Sequence, residues 1–153
     1  MQNSGPTGEL LSRVLKNLRR TTDDLCSVIP GIEDRFLLTD VTAQIEKYSE
    51  LTRRTEDMMR SRSLSPREMT LPEKLAARGA VAVSTMLDRS DGNIARVISK
   101  GAKNGARRLS EDMERCFLDG CDARSLALCR DVIEYELDSA ERMKDCCLRR
   151  ARS

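Results

Sequence analysis

A chain of 153 residues is long enough for one domain with a sizeable hydrophobic core. Its 27 basic side chains, mostly Arg, stand against 25 acids, and the resulting +2 is too small to imply nucleic acid by itself. Histidine is absent, which excludes His-based catalytic triads and Glu-x-x-His metal motifs, and no apolar run is long enough to span a bilayer.

The opening MQNSGPTG lacks the basic-then-apolar order of a secretory signal, so residues 1–8 are expected to be a short mobile tail. A single four-helix-bundle domain is expected over 9–149. Its first helix runs from about Glu9 to Ile29, with Leu11, Val14, Leu18, Leu25 and Val28 on one stripe, and Pro30-Gly31 ends it. The second covers about Ile32 to Arg60, with Leu37, Val41, Tyr48, Leu51, Thr55 and Met58 inward. The third, about Gly92 to Phe117, places Ile94, Ile98, Gly101, Gly105, Leu109, Met113 and Cys116 on one face. The fourth, about Asp122 to Leu148, carries Leu126, Cys129, Ile133, Ala140, Met143 and Cys147 at spacings of three and four.

Between the second and third helices lies a crossover segment, 61–91. It has capping patterns at Ser65–Glu68 and Thr70–Glu73, then a short helix from Pro72 rich in Ala76, Ala77, Gly79, Ala80 and Ala82. The turns at Pro30-Gly31 and Asp119-Gly120-Cys121 are short, so each flanking pair should be an antiparallel hairpin. A crossover helix of roughly 17 residues covers roughly 25 Å, enough to return the chain to its starting end. The second and third long helices should then be parallel, the ferritin-like topology with one long crossover rather than a plain up-down bundle.

The run EKLAARGAVAVSTMLDRSDGNIARVISKGAKNGARRLSEDM resembles the middle of small, uncharacterised bacterial proteins of ferritin-like build. The resemblance is specific from Leu75 to Gly105 and extends loosely from about Leu10 to Leu148 in helix order and crossover length. It implies the fold and brings no established activity.

In the stretch ISKGAKNGARRL, Gly101 and Gly105 fall within about 50° of the centre of the Ile94/Ile98/Leu109 stripe. A phosphate loop needs glycines between a strand and a helix, with a following Lys-Ser/Thr pair, which is missing. The expected role is close packing, Gly101 and Gly105 meeting Gly79 and Ala80 of the crossover.

A ferritin-like core suggests two metal ions, yet among the inward positions at mid-height (Thr21, Thr22, Gln44, Tyr48, Gly101, Gly105, Leu137, Ala140) the one nearby acid is Glu136. One carboxylate makes neither a di-metal site nor a hydrolase pair, so no metal, cofactor or catalytic residue is assigned. The levels of Tyr48, Arg108 and Glu136 along their helices coincide, which marks them as a candidate polar cluster, the alternative being a solvated Glu136. The six Cys have no Cys-x-x-Cys pair for zinc and read as reduced thiols in a cytoplasm. A redox role for Cys116 and Cys121, five apart around a turn, is disfavoured.

Arg96, Lys100, Lys103 and Arg107 form a basic row on the third helix, and Glu134, Asp138, Glu141 and Asp145 an acidic row on the fourth. Both lie well off their core stripes, so they read as solvated faces first and as an interface between subunits second. The function expected is a non-catalytic bundle acting through its surface and self-associating as a homo-oligomer, its cellular role and protein partner unnamed by any residue. The alternative is a nucleic-acid-binding protein using an Arg-rich exterior, disfavoured by the scarcity of aromatics; a ferritin-like metalloprotein ranks third.

Overall fold

The computed structural model describes residues 5–66 and 88–151, with the side chains of 147–151 excepted. The segment expected to form the crossover helix, with Gly79 and Ala80, residues 1–4 and the Cys147 side chain lie outside them. The protein is an all-α four-helix bundle, with no strand among the described residues. Its helices are α1 (Gly5–Val28), α2 (Arg35–Ser61), α3 (Asp91–Asp119) and α4 (Ala123–Ala151). Extensive contact joins α3 to α4 and α1 to α2, while α1 also packs on α3 and α2 on α4.

Helix directions follow from the contacts at the two ends. The Asp91 carboxylate accepts from the backbone N–H of Glu33 and of Asp34, both at 3.0 Å, so α2 and α3 start together and run parallel. At the far end the Asp122 N–H donates to the Thr7 hydroxyl at 3.2 Å, bringing the start of α1 to the end of α3. α1 therefore begins at Gly5, four residues before the expected Glu9, and Gly8 is buried. Part of the segment expected to be a mobile tail is thus a packed helical turn, because Thr7 has a partner across the bundle.

Local chemistry sets the helix limits. Asp34 and Ser90 cap α2 and α3, accepting from the N–H of Leu37 at 2.8 Å and of Asn93 at 3.3 Å. α2 closes with Ser63 in the left-handed region (φ 59°) and Leu64 N–H bonded back to the Met59 carbonyl at 2.9 Å. α3 closes in the same way, with Gly120 at φ 93° and Cys121 N–H bonded to the Cys116 carbonyl at 2.9 Å. This motif normally sets an apolar contact between its first and last residues, as Leu64 makes with the Met59 cluster. In α3 those residues are Cys116 and Cys121, whose Cα atoms sit 5.2 Å apart, and they form a disulfide. The expectation of six reduced thiols is corrected here: the turn geometry, not a flanking pKa pattern, brings the two sulfurs together.

The core runs the length of the bundle. Leu10, Val14 and Leu18 of α1 meet Leu37, Val41 and Leu51 of α2, Ile94 and Leu109 of α3, and Val132 and Met143 of α4. Each fully buried side chain of this size contributes about 1.5–3 kcal/mol. Small residues let α3 and α4 approach closely: Ala95, Ser99, Ala102 and Ala106 are buried, and the Ser99 hydroxyl donates to the Ala140 carbonyl at 2.8 Å. Those small residues also move the centre of the buried arc of α3 by roughly 30° away from Gly101. Gly101 is consequently exposed, with nothing within 4 Å of where a Cβ would stand, which corrects its assignment to helix packing. Leu137 is likewise on the outside, 47% exposed.

Candidate ligand-binding site

On α1, Asn17, Arg20, Thr21 and Asp24 recur at helical spacing beside the apolar stripe, so they form a polar strip along its edge. On α3, Arg108 stands at the edge of the buried face, and Asn104, Lys100 and Arg107 follow further round toward the outer face. The two strips face each other across a cavity of about 500 Å³, with Gln44 and the fully buried Tyr48 of α2 beneath. This volume lies in the usual range for small-molecule sites.

The cavity is cationic. Among the described residues Arg20, Arg96, Lys100, Arg107 and Arg108 line it, against the single acid Asp24. Among the described residues no carboxylate stands within 4.0 Å of the charged groups of Arg20, Lys100, Arg107 or Arg108, whereas Arg13, Arg19, Arg54 and Arg142 all have such partners. Burial pushes the Asp24 carboxyl up to about 6, against the pull of Arg20 and with a smaller push from Asp23.

Polar groups buried without a partner gather here too. Among the described residues such atoms are Arg20 Nε, Asp24 Oδ1, the Tyr48 hydroxyl, Glu136 Oε2 and Asp122 Oδ2. Asp122 Oδ2 faces the Arg62 guanidinium in an ion pair at the far end of the bundle. The first three belong to cavity-lining residues. Ser139, which accepts an Arg142 N–H at 3.2 Å, lies beside the Tyr48 hydroxyl. Burial and the nearby Glu136 both push the Tyr48 phenol well above its ordinary value.

Glu136 sits directly behind this wall, 0% exposed. Its carboxylate accepts from the Asn17 amide of α1, and a solvated Glu136 is ruled out. Burial raises its pKa to about 7, opposed by the Asn17 bond and by the charge of Arg108. Tyr48 and Arg108 therefore share its electrostatic neighbourhood, while the hydrogen bond comes from Asn17, which the sequence reading passed over. A Cβ on Gly105 would stand 2.4 Å from Glu136 Oε2 and 3.1 Å from Asn17 Oδ1. Gly105 thus makes room for a buried carboxylate rather than for an Ala-rich helix. On the α2–α4 side the polar layer continues, with Tyr135 stacked on Tyr48 at 5.2 Å and Arg142 bound to Asp40 at 3.2 Å.

The basic row divides. Arg96, Lys100 and Arg107 line the cavity, and Lys103 does not. No salt bridge joins this row to the acidic one: Asp138 pairs with Arg142 of its own helix, and Glu134, Glu141 and Asp145 are exposed. The large exposed apolar side chains are dispersed, Phe36 and Leu38 near the start of α2, Phe117 and Leu118 at the opposite end of the bundle, and Leu137 on α4. Among the described residues no three His, Cys, Asp or Glu side chains group as metal ligands, and Glu136 with one amide partner does not fit a di-metal centre. No described helix is long and apolar enough to cross a membrane.

The chain matches no family model, no curated protein and no solved structure.

Proposed function

We propose that this protein is a non-catalytic helical bundle that works by binding a small, negatively charged molecule between α1 and α3. The observation that carries the reading is one cavity whose lining cations outnumber its acids among the described residues, and whose lining residues Arg20, Asp24 and Tyr48 each hold a buried, unpartnered polar atom. Buried polar groups are ordinarily hydrogen-bonded, and a ligand supplies the partners the fold withholds. Among the described residues no nucleophile hydrogen-bonded to a base lines the cavity, which supports binding over catalysis. The parallel course of α2 and α3 supports a ferritin-like topology within this reading, without its metal chemistry.

Differential scanning fluorimetry against organic phosphates, dicarboxylates, neutral sugars and polyamines tests it. A ligand at about 100 times its Kd adds about 2.7 kcal/mol, or roughly 5–10 °C in Tm for a chain of this size. Anions should raise Tm, and Lys100→Glu should remove the effect. A panel in which no anion shifts Tm, or in which polyamines shift it equally, contradicts the reading. A second reading is favoured by Lys103, exposed outside the cavity and without an ion pair among the described residues: nucleic acid on the basic row of α3. Retention on heparin weakened as much by Lys103→Glu as by Lys100→Glu would select it.

A further inference from the structure

The cavity's charge and shape narrow the ligand further, on the basis of the binding reading above. Arg20 reaches it from α1, and Lys100, Arg107 and Arg108 from α3. Asp24 offsets one of these charges, so a dianion matches the remainder better than a single carboxylate does. Arg96, the fourth lining arginine, donates to Asn93 of its own helix at 3.0 Å; the other three guanidinium groups present forked N–H donors, a geometry that suits the several equivalent oxygens of a phosphoryl group. The rest of the cavity asks for something else. The unpartnered Asp24 Oδ1 can take only a donor while ionised, and the Tyr48 hydroxyl can donate or accept. Inorganic phosphate cannot fill about 500 Å³ or reach both ends.

We propose that the cavity between α1 and α3 binds a phosphate monoester of sugar-phosphate to mononucleotide size. Its dianion is held by Arg20, Lys100, Arg107 and Arg108, and hydroxyl or amino groups of its organic part meet Asp24 and Tyr48. The Tyr48 ring, part of the cavity lining, is fixed from behind by its stack on Tyr135. Asn17 and Asn104, one on each wall, offer further donors and acceptors to the same organic part.

Calorimetric titration of the full chain with ribose 5-phosphate, adenosine 5′-monophosphate, inorganic phosphate, adenosine and citrate tests this. At least one monoester should bind about tenfold or more tighter than inorganic phosphate, and adenosine should not bind. Lys100→Ala and Arg107→Ala, both exposed positions that the fold does not need, should each weaken the monoester about tenfold, while Lys103→Ala leaves it within about twofold. Tyr48→Phe should narrow the gap between monoester and inorganic phosphate while leaving inorganic phosphate unchanged. Inorganic phosphate binding as tightly as every monoester overturns the proposal, as does equal weakening by Lys103→Ala. Binding of citrate alone overturns the phosphoryl assignment and leaves the anion-binding reading standing; silence from every anion overturns both.

Discussion

Alanine at Gly105 and alanine at Gly101 should change stability in opposite directions, although the two sites lie four residues apart on the same helix. Replacing a mid-helix glycine by alanine gains up to about 1 kcal/mol from backbone preference alone. At Gly101 nothing stands within 4 Å of the new methyl, so that gain should appear in full. At Gly105 the methyl would lie 2.4 Å from Glu136 Oε2 and 3.3 Å from its Cδ. The carboxylate tip is flexible in principle, but here it is fully buried and tied to Asn17. Moving it costs about 1–3 kcal/mol in overpacking, and losing the Asn17 bond about 1.5–3 kcal/mol more. Against the helix gain, the net is a loss of about 1.5–5 kcal/mol. Urea denaturation at pH 7.5 should show Gly105→Ala lowering the midpoint and Gly101→Ala raising it. Removing the obstacle should restore the balance, so Gly105→Ala costs less in a Glu136→Ala background than alone. If Gly105→Ala stabilises as Gly101→Ala does, Glu136 is not where this account places it.

Glu136 also predicts a pH dependence: its carboxyl titrates at about 7 when folded and at 4.5 when exposed, so the folded state holds the proton more tightly. Stability should fall as pH rises from about 4.5 to 7, by up to about 3 kcal/mol; Glu136→Gln should equal the parent near pH 4 and exceed it at pH 8, measured as a difference so that Asp24 cancels. The Cys116–Cys121 disulfide closes a short loop, with a separation of 5, and reduction should cost about 2 kcal/mol; a Cys121→Ser variant should show no response to dithiothreitol. Asp91→Ala removes the acceptor of two backbone N–H groups that ties α3 to the start of α2, and should cost about 1–2 kcal/mol, with faster amide exchange at Glu33 and Asp34.

Periodicity located all four helices because each must bury one apolar stripe, and connection lengths alone indicated which of them run parallel. The errors share a cause. A stripe built on Ile94, Ile98 and Leu109 ignores small residues, yet Ala95, Ser99, Ala102 and Ala106 are where α4 comes closest. Counting them would have put Gly101 at the edge and left Gly105 inside. Asn17, Arg20 and Asp24 escaped notice because an intermediate position on a helix carries no periodic mark of its own. Their signal was the spacing of polar residues next to, rather than opposite, the apolar stripe of α1. The disulfide was legible in principle: a Cys before Gly120 and another after it occupy the two positions that a left-handed helix cap brings into contact. The surroundings of the buried Tyr48 hydroxyl were not legible, because they depend on how Ser139 and Glu136 of another helix pack against it.

The binding claim is tested most directly by following backbone amide shifts of the labelled protein as ribose 5-phosphate or citrate is added. The account predicts saturable shifts confined to Asn17, Arg20, Thr21 and Asp24 on α1 and Lys100 to Arg108 on α3, with Phe36 and Phe117 at the two ends unmoved. Shifts spread over the Arg-rich exterior, or none at millimolar ligand, would contradict it.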